Sequence, residues 1–359
     1  MVYRIGIVGA GFLTRYALAP ALMGEQDLRL AAVLDSRPEA LRDIARGCPD
    51  TLLTSDEEEF FDTPLDAVHV ATPNYLHEHF ACRALDRAIT TLVDKPLAHT
   101  VASGHRIVQA ATAADAIAII GYMAKHNVYN REARRLIAAG AIGTPVAMTA
   151  ARLGYRRLGG DWRRPPITSG LGCLADLGIY PVLTAVDIFG TDPVRCQATA
   201  WPVGDPDETD IYAQATVWFD DHRYLHFEAS AAIDLRKAPP GDIDLEQPNT
   251  EVCTYTIVGD QGIIQVDDSW QMNGFGSLAL CDSAGWRSID LIPVNPYLSQ
   301  YRLLAACSSG AEVPQEVSLD RGLTDLKILY AVADNAAAAS GAAPIDLSRA
   351  PIPQPARMG

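Results

Sequence analysis

Tyr3-Arg-Ile-Gly-Ile-Val-Gly-Ala-Gly-Phe-Leu-Thr14 runs from an apolar strand into a glycine turn that opens a helix. In that order the three pieces begin a parallel α/β unit, and the turn is where a dinucleotide's pyrophosphate sits. Gly9 suits the tight turn, Gly11 lets the backbone approach the phosphates, and Phe12 and Leu13 follow in the same turn. The free N–H groups and positive dipole end of the helix then face the anion. Thr14 stands at the third glycine position, which predicts looser packing of helix on strand. Leu28-Arg-Leu-Ala-Ala-Val-Leu34 reads as a second buried strand. It ends in Asp35, where an acidic residue hydrogen-bonds the adenosine ribose hydroxyls. The same constellation without a ligand is a strand–turn–helix with a solvated Asp35. The ordered context of strand, turn, helix and acidic strand end favours the dinucleotide.

Outward from this stretch, short apolar runs alternate with helical ones, the pattern of a parallel sheet covered on both faces. A helix is expected over Pro38–Arg46, with Pro38 in its first turn. Strands follow over Asp66–Ala71, Thr90–Asp94 and Ala116–Ile120, and helices over Leu76–Leu85 and Val101–Thr112. His69, inside a strand, reads as a structural histidine. After residue 125 the pattern changes. A helix over Arg131–Ala139 stops at Gly140, a strand spans Pro145–Leu153, and a Gly-, Arg- and Pro-rich loop covers 155–172. One helix is expected from about Ala175 to Phe189. Period-two strands then dominate from Arg195 to Cys281, with Asp220-Asp221-His222 as a hairpin turn. Ala-rich helices over Tyr297–Ser308 and Leu323–Ala339 complete the chain. The expected fold is an α/β Rossmann domain with a parallel sheet (residues 1–123). A C-terminal α+β domain with a large, mainly antiparallel open sheet follows (124–340), then an extended tail (341–359).

The whole-chain properties narrow the class. A chain of 359 residues favours two domains, and 48% hydrophobic with 20% charged residues suits a globular protein with a large core. The net charge of −15 disfavours nucleic-acid backbones and anionic membranes as partners. It leaves a nucleotide cofactor possible, because local N–H groups and dipoles hold one. Seven scattered cysteines without a Cys-x-x-Cys pair suggest reduced thiols and a cytoplasmic location. His77-Glu-His79 fits no zinc spacing, so no metal is expected. Arg15 interrupts the apolar N-terminal stretch, which argues against a signal peptide, and no apolar run reaches the length of a membrane span.

Three segments carry chemistry. Thr72-Pro73-Asn74 and Asp94-Lys95-Pro96 each leave an apolar strand at the carboxyl edge of the sheet, where such folds bind ligands. Asp176 and Tyr180, four apart on the expected helix, would project from one face. Lys95 has three readings: an ion pair with Asp94, a cofactor-phosphate contact, or a catalytic group. Asp176 and Tyr180 across the cleft favour the third. Trp162-Arg163-Arg164 suits a hydroxylated ring or a phosphate, or is a solvated loop. Asp35 favours the free 2′-hydroxyl of NAD, whereas Ser36-Arg37 could serve NADP; NAD is the reading adopted.

These stretches together resemble the glucose–fructose oxidoreductase/inositol dehydrogenase family of NAD(P)-dependent sugar and cyclitol oxidoreductases. The matching residues are Gly9-Ala-Gly11 with Pro20-Ala-Leu22, Asp35, Thr72-Pro-Asn-Tyr-Leu-His77 and Asp94-Lys-Pro96. They continue with Gly121-Tyr122, Leu136-Ile-Ala-Ala-Gly-Ala-Ile-Gly143 and Ser169-Gly-Leu-Gly-Cys-Leu-Ala-Asp-Leu-Gly-Ile-Tyr180. The resemblance implies cofactor contacts at Gly9, Gly11, Phe12, Leu13, Asp35, Ser36, Arg37, Thr72, Pro73, Asn74, His77, Asp94 and Lys95. It implies substrate contacts at Lys125, Trp162, Arg163, Asp176 and Tyr180, and a homodimer or homotetramer formed through the C-terminal sheet. The chain departs from the family pattern in three places. Asp94 replaces the usual glutamate, Lys125 the frequent arginine, and Tyr180 the common catalytic histidine. Relatives with this tyrosine include glucose–fructose oxidoreductase, dimeric dihydrodiol dehydrogenases and some nucleotide-sugar ketoreductases. The implied reaction is hydride transfer between nicotinamide and a ring carbon of a sugar, cyclitol or related polyhydroxylated substrate. Tyr180 would carry the proton, Lys95 would donate to the same oxygen, and Asp176 would orient the lysine or bind a neighbouring hydroxyl. A tyrosine near its reference pKa of about 10 is a poor base at neutral pH, and a nearby cation favours the phenolate. Two alternatives are a ketoreductase for a nucleotide-linked or activated keto-sugar and a non-catalytic dinucleotide-binding sensor. Lys95, Asp176 and Tyr180 are all present, which disfavours the sensor.

Overall fold

The computed structural model describes residues 2–154, 162–205, 207–232, 252–267 and 276–341. Of the expected tail only Gly341 is among them, and the expected loop is described from Trp162 onward. The chain divides into two compact units. Among the described residues the first holds those up to Met123 and Tyr297–Leu326; the second holds those from Ala124 to Pro296 and from Lys327 to Gly341.

Six strands build the sheet of the first unit: β1 (Tyr3–Val8), β2 (Leu28–Leu34), β3 (Leu52–Thr54), β4 (Ala67–Val70), β5 (Thr90–Asp94) and β6 (Ala118–Gly121). They pair in parallel in the order β3-β2-β1-β4-β5-β6. The order reverses between β1 and β4, and ligands of such sheets bind outside the carboxyl ends of the strands at this crevice. All four residues of β4 and the last four of β1 are buried, as expected of strands covered on both faces. β3 was not anticipated, because three residues are too few to show a period. Helices cover the sheet over Pro38–Ala45, Glu57–Asp62, His77–Leu85 and Val101–Ala114. Asp56 caps the second by accepting from Glu58 and Glu59, and Thr100 caps the fourth by accepting from Ser103.

Tyr297–Leu326 groups with this first unit, although the sequence reading placed it in the second region. The reason is packing. Leu304, on the helix Pro296–Ser308, joins Ala67, Leu92, Ile119 and Val317 in one buried cluster. Tyr301, fully buried, brings its hydroxyl 2.8 Å from His69 Nδ1. Burying each such large side chain is worth about 1.5–3 kcal/mol.

The second unit is built on one eight-stranded sheet. Its strands are β7 (Pro145–Leu153), β8 (Arg195–Trp201), β9 (Tyr212–Trp218), β10 (Tyr224–Ser230), β11 (Val252–Gly259), β12 (Ile263–Asp267), β13 (Ser277–Asp282) and β14 (Gly285–Ser288). The order is β14-β13-β12-β11-β7-β10-β9-β8, antiparallel except for the β7–β10 pair. Burial alternates strictly along β9, so one face is covered and the other half open. Asp220 closes the β9–β10 hairpin by accepting from the amides of His222 and Arg223.

The helix Ile179–Phe189 packs on β7 and β10. The single helix expected from Ala175 is instead two. Cys173–Asp176 ends before Ile179, and the axes of Pro166–Asp176 and Ile179–Phe189 differ by 51°. Gly178 sits at the break, where an added Cβ would lie 2.7 Å from the Leu174 carbonyl oxygen. No single helix among the described residues is long and apolar enough to cross a membrane.

Candidate active site

At the carboxyl edge of the first sheet the glycine turn is fixed by its neighbours. Gly9 has φ +102°, and a Cβ there would stand 2.6 Å from the Ala71 carbonyl oxygen, so only glycine is free of strain. Its amide donates to the Leu34 carbonyl at 2.7 Å. Gly11 is different: an added Cβ would meet nothing within 4 Å, so the backbone there lies open. Phe12, exposed, packs against Tyr16 in a tilted pair with ring centroids 4.8 Å apart. Leu13 directly precedes a π-helical turn, Thr14–Leu18. Thr14 is wholly buried, and its hydroxyl donates to the Gly9 carbonyl at 2.5 Å. In place of a third glycine it therefore ties the helix back onto the turn.

Asp35 is 9% exposed. It accepts from Ala10 N at 2.7 Å and from Arg37 N at 2.8 Å, and the Arg37 guanidinium grips both its oxygens at 3.0 Å. Burial pushes its carboxyl up, but the bonds from Arg37 and Ala10 outweigh this and hold it below the ordinary value. Arg37 thus occupies the carboxylate expected to receive ribose hydroxyls, and Ser36 between them is exposed.

The loop after β4 contributes Thr72, Pro73 and Asn74. Thr72 Oγ1 is buried without a hydrogen-bond partner among the described residues. His77, expected at the cofactor, is buried with Nε2 3.0 Å from the Thr72 carbonyl and Nδ1 3.0 Å from that of Pro96. It links the loop after β4 to the one after β5. Asp94 accepts from the Lys95 amide at 3.0 Å, and Lys95 is half-buried before a cis Pro96. The open Gly11, the unengaged Thr72 hydroxyl and the Asp35 carboxylate beside the turn fit a dinucleotide.

In the second unit Asp176 and Tyr180 stand on either side of the helix break, not on one helical turn as expected. Arg163 Nε lies 3.6 Å from Asp176 Oδ2, an ion pair too long for a hydrogen bond. The same guanidinium stacks over Trp162, 4.5 Å from its centroid. These three residues therefore form one cluster. Lys125, expected at the substrate, is 3% exposed and donates to Asp187 at 2.7 Å, with Arg134 at 3.4 Å from the same carboxylate. A buried cation needs such a partner, and its charge is engaged there.

Residues 3–122 match the oxidoreductase family with an NAD-binding Rossmann fold, and residues 130–265 match the GFO/IDH/MocA C-terminal domain. The chain belongs to the glucose–fructose oxidoreductase/inositol dehydrogenase family. D-xylose 1-dehydrogenase (NADP+) of Haloarcula marismortui is 25% identical over 341 residues, 92% of this chain and 89% of that protein. A dTDP-3,4-didehydro-2,6-dideoxy-alpha-D-glucose 3-reductase of Streptomyces antibioticus is 28% identical over 196 residues, 53% of this chain and 57% of its own length. The crystal structure of aldose-aldose oxidoreductase from Caulobacter crescentus complexed with glycerol superposes with a TM-score of 0.81. It is 23% identical, over 94% of this chain and 98% of that one, and shares the fold.

Within this family's two-part architecture Arg152 is a residue that the sequence reading did not single out. Arg152 on β7 is 4% exposed, and its guanidinium lies 3.9 Å from the centre of the Tyr180 ring. In the ladder it is flanked by Ala229 and Cys253, both buried. The available signal was an arginine on the covered face of a strand, the alternate position to Ala151 and Leu153.

Proposed function

We propose that the protein transfers a hydride between a nicotinamide cofactor and a ring carbon of a sugar, cyclitol or related polyhydroxylated substrate. The carrying observation is the carboxyl edge of the first sheet, with its open Gly11, unengaged Thr72 hydroxyl and Asp35 at the turn. Membership of an oxidoreductase family supports the redox chemistry, and the likeness to a D-xylose dehydrogenase supports the substrate class. The bound nicotinamide supplies the hydride acceptor or donor. The chain's own residues handle the proton. In oxidation the substrate hydroxyl proton passes to Tyr180, and in reduction Tyr180 returns it. Arg152 keeps positive charge against the tyrosine ring, and Lys95 donates to the reacting oxygen. Asp176 and Arg163 with Trp162 bind neighbouring hydroxyls and the ring face.

NAD is the proposed cofactor, because Asp35 at the end of β2 accepts from ribose hydroxyls once Arg37, largely exposed, swings away. The half-open face of the second sheet is proposed to pair with a second copy of the chain. A second reading, reduction of a keto-sugar carried on a nucleotide, has the likeness to the dTDP-sugar 3-reductase in its favour.

A panel of D-xylose, other aldoses, cyclitols, free keto-sugars and nucleotide-linked keto-sugars, assayed by nicotinamide absorbance with NAD and NADP, tests the proposal. Oxidation of a free sugar or cyclitol is expected. Turnover confined to nucleotide-linked keto-sugars selects the second reading. Tight cofactor binding without turnover on any member makes the protein a sensor and overturns the proposal.

A further inference from the structure

Three consecutive residues ahead of β9 fasten both substrate-side segments of the second unit. The Glu208 carboxylate pairs with the Arg164 guanidinium. Thr209, buried, donates its hydroxyl to the Arg163 carbonyl at 2.8 Å and its amide to the Arg164 carbonyl at 2.8 Å. Asp210 holds the other segment. Its Oδ1 accepts from Gly172 N at 2.9 Å, and its Oδ2 accepts from Leu174 N at 2.8 Å and from the Cys173 thiol at 3.1 Å. Its backbone carbonyl accepts from Cys173 N at 2.8 Å. Three successive residues thus converge on one carboxylate. The approach is so close that a Cβ on Gly172 would lie 2.0 Å from the Asp210 carbonyl oxygen. Burial, then the charge of Asp210, push the Cys173 thiol well above its ordinary value, so it remains an S–H donor.

The two segments held in this way are Trp162–Arg164 and the turn from Gly172 that leads through Asp176 to Tyr180. Between them, among the described residues, stands the 3.6 Å Arg163–Asp176 ion pair. An ion pair of that length sets no precise geometry, whereas short bonds to a common segment do. We infer that Glu208-Thr209-Asp210 is a positioning clamp for the reaction, Thr209 setting the substrate-lining loop and Asp210 setting the turn that bears Asp176 and Tyr180. This inference rests on the reading of those two segments as the substrate side of the site.

The clamp divides its effects between the kinetic constants. Thr209→Val keeps the shape and removes the hydroxyl that holds the loop. It should raise KM for D-xylose, or for the fastest substrate of the panel, about 5- to 20-fold with kcat nearly unchanged, as for a lost buried hydrogen bond. Thr209→Ser should restore KM. Asp210→Asn puts an N–H against the donors of the turn. It should lower kcat roughly 10- to 100-fold with a smaller change in KM. NADH affinity should stay at the wild-type value in all three, since the dinucleotide residues lie in the other unit. Hydrogen exchange supplies a reading that needs no substrate. Thr209→Val should speed exchange across 162–168, and Asp210→Asn across 172–176, each without the other. Wild-type kinetics and exchange in both variants would overturn the clamp. So would equal losses in kcat and KM that merely follow the melting temperature. Tyr180→Phe, run alongside, separates the two ideas. If it keeps turnover while Asp210→Asn loses it, the clamp stands and the proton-carrier reading fails. If Tyr180→Phe fails and Asp210→Asn matches wild type, the clamp alone falls.

Discussion

The two units hold their functional groups by different means. In the first, backbone conformation does most of the work: Gly9 at positive φ, a turn closed onto Asp35, and loops linked through His77 to carbonyl oxygens. In the second, side chains from strands and loops far apart in the chain converge, as Arg152 does on Tyr180 and Asp210 on Gly172–Leu174. A dinucleotide has a constant shape that a backbone cradle can match. A substrate pocket must vary, and side chains vary without disturbing the sheet beneath them.

The sharpest break between the units comes from their proposed chemical groups. Tyr180→Phe keeps the ring under Arg152 but removes the hydroxyl. It should fold, bind cofactor normally and lose roughly two to four orders of magnitude in turnover, together with one limb of the kcat/KM pH profile. Lys95→Ala should also lower kcat by orders of magnitude with cofactor affinity little changed. Steady-state kinetics with cofactor titration decide both, and retained turnover removes the residue concerned from the mechanism.

Acid should open the first unit through its buried histidines. Burial pushes His69 down to about 3 and His77 down to about 4, against an ordinary value of 6.5. Both are therefore neutral when folded and bind protons when unfolded in the window between. Their stabilisation is complete above pH 6.5 and is lost as pH falls towards 4 and then 3. At about 1.4 kcal/mol per pKa unit the combined effect reaches several kcal/mol. Urea titrations at stepped pH should show this loss, and His77→Gln should flatten it. An unchanged slope would mean that His77 titrates normally.

The glycines sharpen the contrast further. Gly9→Ala forces a side chain into positive φ and against the Ala71 carbonyl, strain worth about 1–3 kcal/mol, so both melting temperature and cofactor affinity should fall. Gly11→Ala meets open space, so it should melt like wild type and lose affinity only for the dinucleotide. Calorimetry beside NADH titration separates them. In the second unit, Arg152→Met should lower kcat about tenfold, with partial recovery in Arg152→Lys, which keeps the cation but not the stacked plane. The smallest effect is expected at Asp35. Asp35→Ser should narrow the preference for NAD over NADP by about tenfold or less, and equal ratios in the two proteins would end its role in cofactor choice.

What could be read in advance follows the same division. The strand, glycine turn and acidic strand end from Tyr3 to Asp35 were legible because the residue types that such a turn and strand end need stand in order within one short span of chain. The strand ends at Thr72 and Lys95 were legible for the same reason. The break between Asp176 and Tyr180 was not, because an apolar run with a single internal glycine has the same period whether continuous or broken. The break brings the backbone at Gly178 so close to the Leu174 carbonyl that a Cβ would lie 2.7 Å from its oxygen, and that approach exists only in the fold. His77 was expected at the cofactor from the family resemblance; the Pro96 carbonyl that faces its Nδ1 comes from a different loop, which only the fold brings there. Lys125 was read as a substrate group, and only the fold supplies Asp187 to engage it.

By itself the sequence determined the alternation of strands and helices, the two-part architecture and the chemical character of each strand end. Those properties depend on periodicity and on residues adjacent in the chain. Tertiary structure alone decided that Tyr301 and Leu304 complete the first unit, that Arg152 lies on Tyr180, and that Thr209 and Asp210 hold segments more than thirty residues upstream. Such pairings leave no local period, because burial and hydrogen bonding select them only after distant segments have met.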